Sequence, residues 1–130
     1  MLLKENILGG DACYKTILKC KNNKDFYIFK FKAFHSSFYS ISNEYNSNLY
    51  DGDVCEVFIE YGEKDHYYEI EVAPNGAVFL ADIYNDGLGF KGTLIDDCFV
   101  KTSAKIYKNY YNVVIKIPKE KIKMEKIKFN

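Results

Sequence analysis

Residues 54–61 (VCEVFIEY) decide the fold. Along them Cys55, Val57, Ile59 and Tyr61 alternate with Glu56, Phe58 and Glu60. A period of two residues is typical of a β-strand with one face in a core. Residues 66–73 (HYYEIEVA) repeat the pattern, and Pro74-Asn75-Gly76 then has the residue types of a turn. Residues 77–84 continue as a strand. We therefore predict a three-stranded antiparallel meander over residues 54–84.

The alternation assigns a face to each side chain of this meander. We expect the inward side chains to be Cys55, Val57, Ile59, Tyr61, Tyr68, Ile70 and Val72. We expect the outward ones to be Glu56, Phe58, Glu60, Tyr67, Glu69, Glu71, Asp82 and Tyr84. Rings beside carboxylates on one face could receive the edge of a sugar. A second explanation is that aromatic residues simply favour strands and become covered by a neighbouring segment.

The rest of the chain has the pattern of further short strands. Residues 12–20 and 25–35 are rich in aromatic and β-branched residues, and residues 99–107 and 110–117 predict a hairpin. Residues 85–97 contain three glycines and are predicted to be a loop. Seven or eight short strands at this spacing predict an all-β fold, an antiparallel β-sandwich of the jelly-roll or immunoglobulin-like kind. A length of 130 residues predicts that residues 1–130 form one domain.

Charge is distributed unevenly along the chain. Lysine supplies all 18 positive charges, so the bidentate contacts that arginine makes with phosphates and guanine edges are missing. The net charge is +4 over residues 1–43, −11 over residues 44–97 and +7 over residues 98–130. The acidic middle argues against nucleic acid as a ligand of that segment. Lysine-rich and acidic strands that face solvent, or each other, would explain the same distribution structurally.

The sequence also gives an expectation for where the protein is located in the cell. No apolar run approaches the ~20 residues of a membrane span, so we expect no membrane partner. The start, MLLKENILGG, does not fit a signal peptide, because Lys4 and Glu5 interrupt its apolar stretch. We therefore expect a cytoplasmic location, unless the chain is a domain excised from a secreted protein. The four cysteines show no C-x-x-C motif and no zinc spacing with the two histidines.

Three segments in order resemble the family 9-like carbohydrate-binding modules, which are β-sandwich domains often attached to bacterial polysaccharide hydrolases. The first is residues 53–58 (DVCEVF), the second Tyr67-Tyr68-Glu69 and the third Pro74-Asn75-Gly76. The later Ile117-Pro118 is similar to the end of a strand in that family, so that the resemblance covers residues 26–122. It implies a non-catalytic module in which rings clasp a sugar while a glutamate and an arginine bond its hydroxyls.

The resemblance suggests candidate ligand residues. By position, Tyr50 would stack on a sugar ring and Glu56 would accept hydrogen bonds from its hydroxyls. Further candidates for ligand binding are Tyr67, Glu69, Tyr84 and Tyr111. The chain has no tryptophan and no arginine, which favours an alternative: a β-sandwich interaction or structural domain that has lost the sugar site. Association of copies into a homo-oligomer would be compatible with that alternative.

Catalysis and metal binding have weaker support in the sequence. Two carboxylates such as Glu56 and Glu69 could suggest glycoside hydrolysis, but outward glutamates are ordinary on a solvated strand. We therefore predict no enzyme activity and no catalytic residues. Asp51, Asp53 and Asp86 offer oxygen ligands for a structural calcium ion, although turns require the same residue types. No other cofactor is expected.

Overall fold

The computed structural model describes residues 1–3 and 12–123. The strands are β1 (Thr16–Asn22), β2 (Phe26–Phe34), β3 (Cys55–Glu60), β4 (His66–Val72), β5 (Val78–Asn85), β6 (Phe90–Leu94), β7 (Lys101–Ile106) and β8 (Tyr110–Pro118). Two 3-10 turns, Leu49–Asp51 and Lys119–Lys121, complete the regular structure of the described residues. The described residues include no helix with the length and apolar character needed to cross a membrane.

The strands form two four-stranded antiparallel sheets. The first sheet has the order β1-β2-β8-β7 and the second has the order β3-β4-β5-β6. The second sheet follows the chain strand by strand, which confirms the predicted meander. In the first sheet, β8 lies between β2 and β7, so that strands far apart in sequence become neighbours. The prediction of an all-β sandwich is confirmed.

The core lies between the two sheets and is built by the alternation along each strand. The buried side chains of the second sheet include Cys55, Val57, Ile59, Ile70, Val72 and Leu80. Those of the first sheet include Leu18, Phe29, Phe31, Val113, Ile115 and Ile117. The inward positions predicted for residues 54–73 are thus confirmed. The β-branched residues among these positions suit a pleated, half-buried surface.

The prediction for the segment that follows the meander was wrong. Residues 85–97 were expected to form a loop, but Phe90–Leu94 is strand β6, which pairs with Ala81–Asn85. The glycines suggested a loop. A strand forms here because the backbone N–H and C=O groups on this side of β5 would otherwise lack hydrogen-bond partners. The turn between the strands is held by Asp86, whose Oδ1 accepts hydrogen bonds from the backbone N–H groups of Leu88 and Gly89 at 2.9 and 2.7 Å.

The long connection between β2 and β3, residues 35–54, covers one end of the second sheet. Leu49, in the 3-10 turn, is buried against Ala73 and Ala77, and Phe79 packs on the same cluster. Glu71 and Phe79 are direct cross-strand partners on the outer face of the sheet. Ala73 and Ala77 are each two residues away from one of them along the chain, so they lie on the same face. The turn therefore lies over the outer face instead of in the main core.

Hydrogen bonds and one close backbone approach keep this connection in place. The backbone N–H of Tyr39 donates to Asp53 Oδ2 and the N–H of Asp53 donates to the carbonyl of Tyr39, both at 2.8 Å. Gly52 passes so close that a Cβ atom there would lie 2.9 Å from the Tyr39 carbonyl oxygen. Asn46, at φ 59°, accepts from the Leu80 N–H through its Oδ1 at 2.8 Å. The connection is thereby joined to β5.

Candidate functional site

The outer face of the second sheet carries three of the six predicted ligand residues on its strands. Across β3 and β4, Glu60 pairs with Tyr67, Phe58 with Glu69, and Glu56 with Glu71. Directly paired residues in an antiparallel sheet project from the same face. We call this set of six side chains the outer strip. It places Glu56, Tyr67 and Glu69 together, as the alternation predicted.

One end of the outer strip is a shallow hollow with aromatic walls. Its volume is about 420 Å³, and Phe58, Glu60 and Tyr67 line it. The rings of Phe58 and Tyr67 meet edge to face, with their centroids 5.9 Å apart. Phe58 is 56% exposed, so its ring is accessible to a ligand. This end can hold an apolar surface against two rings while Glu60 offers hydrogen-bond acceptors.

The middle of the outer strip is a group of carboxyl groups. Burial, followed by the negative charge of Glu69, raises the pKa of Glu56. Burial also raises the pKa of Glu69, while the neighbouring Glu71 carboxyl group acts in the opposite direction. Three acidic groups near each other repel when all are charged, so that each favours the neutral form of its neighbours.

Glu71 is the exceptional member of this group. It is completely buried, and neither of its carboxyl oxygens has a hydrogen-bond partner of ordinary length among the described residues. Burial first, and then the charges of Glu56 and Glu69, raise the pKa of Glu71 to about 7. The alternation along β4 predicts the outward face for Glu71 but not its burial, because alternation does not reveal what covers a face.

Tyr50 lies at the opposite end of the outer strip from the hollow. It belongs to the 3-10 turn that Leu49 anchors on the outer face, and it is 56% exposed. No hydrogen bond or ring contact among the described residues joins Tyr50 to Glu56. The turn that contains Tyr50 packs through Leu49 on the outer face, from which Glu56 also projects. Tyr67, in the hollow, and Ala73, under the turn, are six residues apart along the chain. A strand rises ~3.4 Å per residue, so the hollow and the turn are separated by about 20 Å.

The structure corrects the predicted positions of Asp82 and Tyr84. Asp82 pairs with Tyr68 and Tyr84 pairs with His66, so both project from the inward face, away from the outer strip. Asp82 accepts a hydrogen bond from the Tyr61 hydroxyl at 3.0 Å and lies 3.0 Å from His66 Nδ1. The Tyr84 hydroxyl donates to Asp86 Oδ2 at 2.9 Å. Tyr84 remains accessible at the rim of the sheet but does not join the other candidates.

Tyr111 is not at a surface. It is 5% exposed in the core, and its ring meets Phe38 edge to face with the centroids 5.2 Å apart. Its hydroxyl lies 3.8 Å from the sulfur of Cys55. Burial raises the pKa of Cys55 to about 12. The inward position follows from β8, where Tyr111 alternates with the solvent-side Tyr110 and Asn112. A ring in this place cannot stack on a ligand outside the sandwich.

Two of the three loop aspartates considered for calcium form hydrogen bonds within their own loops. Asp53 accepts the Tyr39 N–H, and Asp86 accepts two backbone N–H groups as well as the Tyr84 hydroxyl. These hydrogen bonds, with that of Leu88 as the largest contribution, lower the pKa of Asp86. Within residues 1–3 and 12–123, no three His, Cys, Asp or Glu side chains come close enough together to hold a metal ion. A structural calcium at Asp51, Asp53 or Asp86 stays a prediction.

Comparisons with known proteins support the fold. No protein-family model and no curated protein sequence matches the chain. A crystal structure of a putative carbohydrate-binding protein from Bacteroides uniformis is similar to it, with a TM-score of 0.71 and 12% sequence identity. The similarity covers 88% of this chain, which spans 57% of the length of that protein. At this identity the likeness shows a shared β-sandwich architecture.

Proposed function

We propose that this chain is a non-catalytic carbohydrate-binding domain that holds a sugar chain along the outer strip. The observation that carries the proposal is the exposed hollow of Phe58, Glu60 and Tyr67, beside the exposed Glu56 and the half-buried Glu69. The fold is similar to that of a protein named as a putative carbohydrate-binding protein. The resemblance of residues 53–76 to family 9-like modules, which are often attached to bacterial polysaccharide hydrolases, supports the same function.

The chemistry of the outer strip suits a saccharide. Aromatic rings provide flat apolar surfaces for the C–H faces of a sugar, and they lose little conformational freedom on binding. Carboxylates accept hydrogen bonds from the hydroxyl groups of a sugar. Such charge-assisted hydrogen bonds are shorter and stronger than neutral ones. In this proposal Phe58 and Tyr67 contact one sugar residue, and Glu56, Glu60 and Glu69 accept from its hydroxyls. In the same proposal, Tyr50 contacts another residue of the bound sugar chain.

A second candidate function is a protein-interaction domain, as the sequence alternative stated. It is favoured by the edge strand β6 and the turn before it, where Leu88 is 98%, Phe90 68% and Leu94 52% exposed. Apolar side chains along an open strand edge are a common basis for pairing with another chain. A second copy of this protein, which would make a homo-oligomer, is one such partner.

Titration with neutral mono- and oligosaccharides tests the proposed function. Binding is followed by tyrosine fluorescence and confirmed by calorimetry, with and without Ca²⁺. We expect Phe58→Ala and Tyr67→Ala to weaken binding about tenfold or more, because each removes a stacking surface. Tyr39→Ala, which removes an exposed ring outside the outer strip, should leave the Kd within about twofold.

Two outcomes would contradict the proposal. One is the absence of binding to any saccharide by the folded protein. The other is binding that Phe58→Ala and Tyr67→Ala leave unchanged. Analytical ultracentrifugation of the wild type and of Phe90→Ser tests the second candidate function. Self-association that the substitution abolishes would support an interface on β6.

A further inference from the structure

The outer face of the first sheet, on the opposite side of the molecule, is covered with lysine. Seven side chains from four strands project from it: Lys19, Lys21, Lys30, Lys32, Lys101, Lys105 and Lys116. We call this set the lysine face. Six of the seven are exposed and Lys32 is half-buried. Strands β1, β2, β7 and β8 contain no Asp or Glu.

Several of these lysines are direct neighbours. Lys19 pairs with Lys30 across β1 and β2, and Lys101 pairs with Lys116 across β7 and β8. Like charges directly opposite each other destabilise a sheet. The ion pairs of the described residues are elsewhere, at Lys64–Asp65, Lys123–Glu63 and His66–Asp82. The lysine face thus has a concentration of positive charge that folding alone does not require.

Aromatic rings border one end of the lysine face. Lys32 Nζ lies 4.0 Å from the centroid of the Tyr110 ring and 4.9 Å from that of Phe34. The Tyr107 ring stacks on Tyr110 with the centroids 4.5 Å apart. Phe34 also lines a hollow of about 290 Å³, together with Tyr14 and Lys15. Tyr14 is 52% exposed. Ammonium groups and accessible rings therefore occur within reach of one ligand.

We propose that the lysine face binds an acidic polysaccharide, a polymer whose sugar residues carry carboxylates. The lysines neutralise the carboxylates, and the rings of Tyr14 and Phe34 contact the C–H face of a sugar at the end of the sheet. Charge complementarity carries the assignment of a polyanion. The choice of a glycan among polyanions rests on the proposed carbohydrate-binding function.

Other features of the face favour a glycan over a nucleic acid. The protein has no arginine, the residue that forms bidentate contacts with phosphates and base edges. The face is a sheet surface, and no helix or hairpin of the described residues projects from it to enter a duplex groove. The acidic outer strip on the far side of the sandwich would repel a polyanion that wrapped around the molecule. A linear polymer that stays on one face avoids that repulsion.

Calorimetry with polygalacturonate tests the proposal, and the same polymer with its carboxyl groups methyl-esterified is the matched ligand without charge. We expect the wild type to bind the acid form and to lose most of its affinity for the ester. Lys30→Gln/Lys32→Gln should weaken binding about tenfold, whereas Lys30→Arg/Lys32→Arg should keep it within about threefold. Lys64→Gln/Lys91→Gln removes the same charge outside the face and should have a smaller effect. Added salt should weaken binding of the acid form.

Three results would overturn the proposal: no binding of polygalacturonate, equal binding of the ester, or tighter binding of single-stranded oligothymidylate than of polygalacturonate at equal salt. Circular dichroism of each variant shows that the fold is kept. Binding of neutral oligosaccharides, tested with Phe58→Ala, reports on the outer strip. Binding of polygalacturonate by a wild type that binds no neutral oligosaccharide contradicts the proposed outer-strip site alone. Binding of neutral oligosaccharides by a wild type that does not bind polygalacturonate contradicts the lysine face alone.

Discussion

Glu56 and Glu71 are direct cross-strand partners on the outer face of the second sheet, yet Glu56 is exposed and Glu71 is completely buried. The difference coincides with the cover at this end of the sheet, where the turn that contains Leu49 packs beside Phe79, the other cross-strand partner of Glu71. A carboxyl group that is buried without a hydrogen-bond partner favours its neutral form. This pair therefore links the stability of the fold to pH.

Glu71→Gln should make the protein more stable at pH 8 and have little effect at pH 4. The folded-state pKa of Glu71 is about 7 and its ordinary value is 4.5. Between these values the folded protein keeps a proton that the unfolded chain releases, so stability falls as the pH rises and the full penalty applies above pH 7. The gain at pH 8 should be on the order of 2 kcal/mol. Urea unfolding at both pH values measures it.

The matched control for this substitution is Glu60→Gln, at an exposed position of the outer strip. It should change stability by less than about 0.5 kcal/mol at either pH. The prediction is contradicted if the difference in free energy of unfolding between Glu71→Gln and the wild type stays constant from pH 4 to pH 8. Glu71 would then not titrate in this range in the folded protein.

Gly52→Ala should destabilise the protein by about 1–3 kcal/mol, because overpacking forces the backbone to shift. The new Cβ would meet the Tyr39 carbonyl oxygen at 2.9 Å and the Ile41 nitrogen at 3.2 Å. Thermal unfolding gives the difference. Gly89→Ala is a suitable comparison, since its Cβ would have Asp86 Oδ1 at 3.8 Å as its neighbour. If both substitutions cost the same, the close approach at Gly52 is not what keeps the connection in place.

Tyr111→Phe should leave saccharide binding unchanged, because the ring lies in the core and not on the outer strip. Its stability should fall by no more than about 1 kcal/mol, since the lost hydroxyl contact to Cys55 is a weak one at 3.8 Å. Tyr111→Ala should cost about 3–5 kcal/mol through the cavity it creates. A Tyr111→Phe variant that keeps its Tm but binds saccharide more weakly would contradict this placement.

Cys55 should resist alkylation in the folded protein, while Cys13, Cys20 and Cys98 react. The latter three are exposed and Cys55 is buried. The raised pKa of Cys55, about 12, also keeps the thiolate scarce at neutral pH. Mass spectrometry after iodoacetamide treatment, with and without denaturant, identifies the modified residues. Rapid modification of Cys55 without denaturant would mean that β3 opens readily.

The sequence alone determined the strands and most of their faces. A period of two is a local property, so the alternation at residues 54–73 placed Val57 and Ile70 inside and Phe58 and Tyr67 outside. Such reasoning was less successful where composition suggested a loop. Residues 90–94 include a glycine and are exposed throughout, but they complete the edge of β5. Asp82 and Tyr84 were placed on the wrong face, because pairing with β4 sets the parity of β5.

Only the tertiary structure decided which faces meet and what covers them. Glu71 pairs with Phe79, on whose cluster the connection of residues 35–54 packs through Leu49. The lysine face depends on β8 lying between β2 and β7, which brings Lys30 and Lys32 together with Lys101 and Lys116. These relationships join residues that are tens of positions apart. They arise from the packing of two sheets around one core, and no periodicity along the chain records that packing.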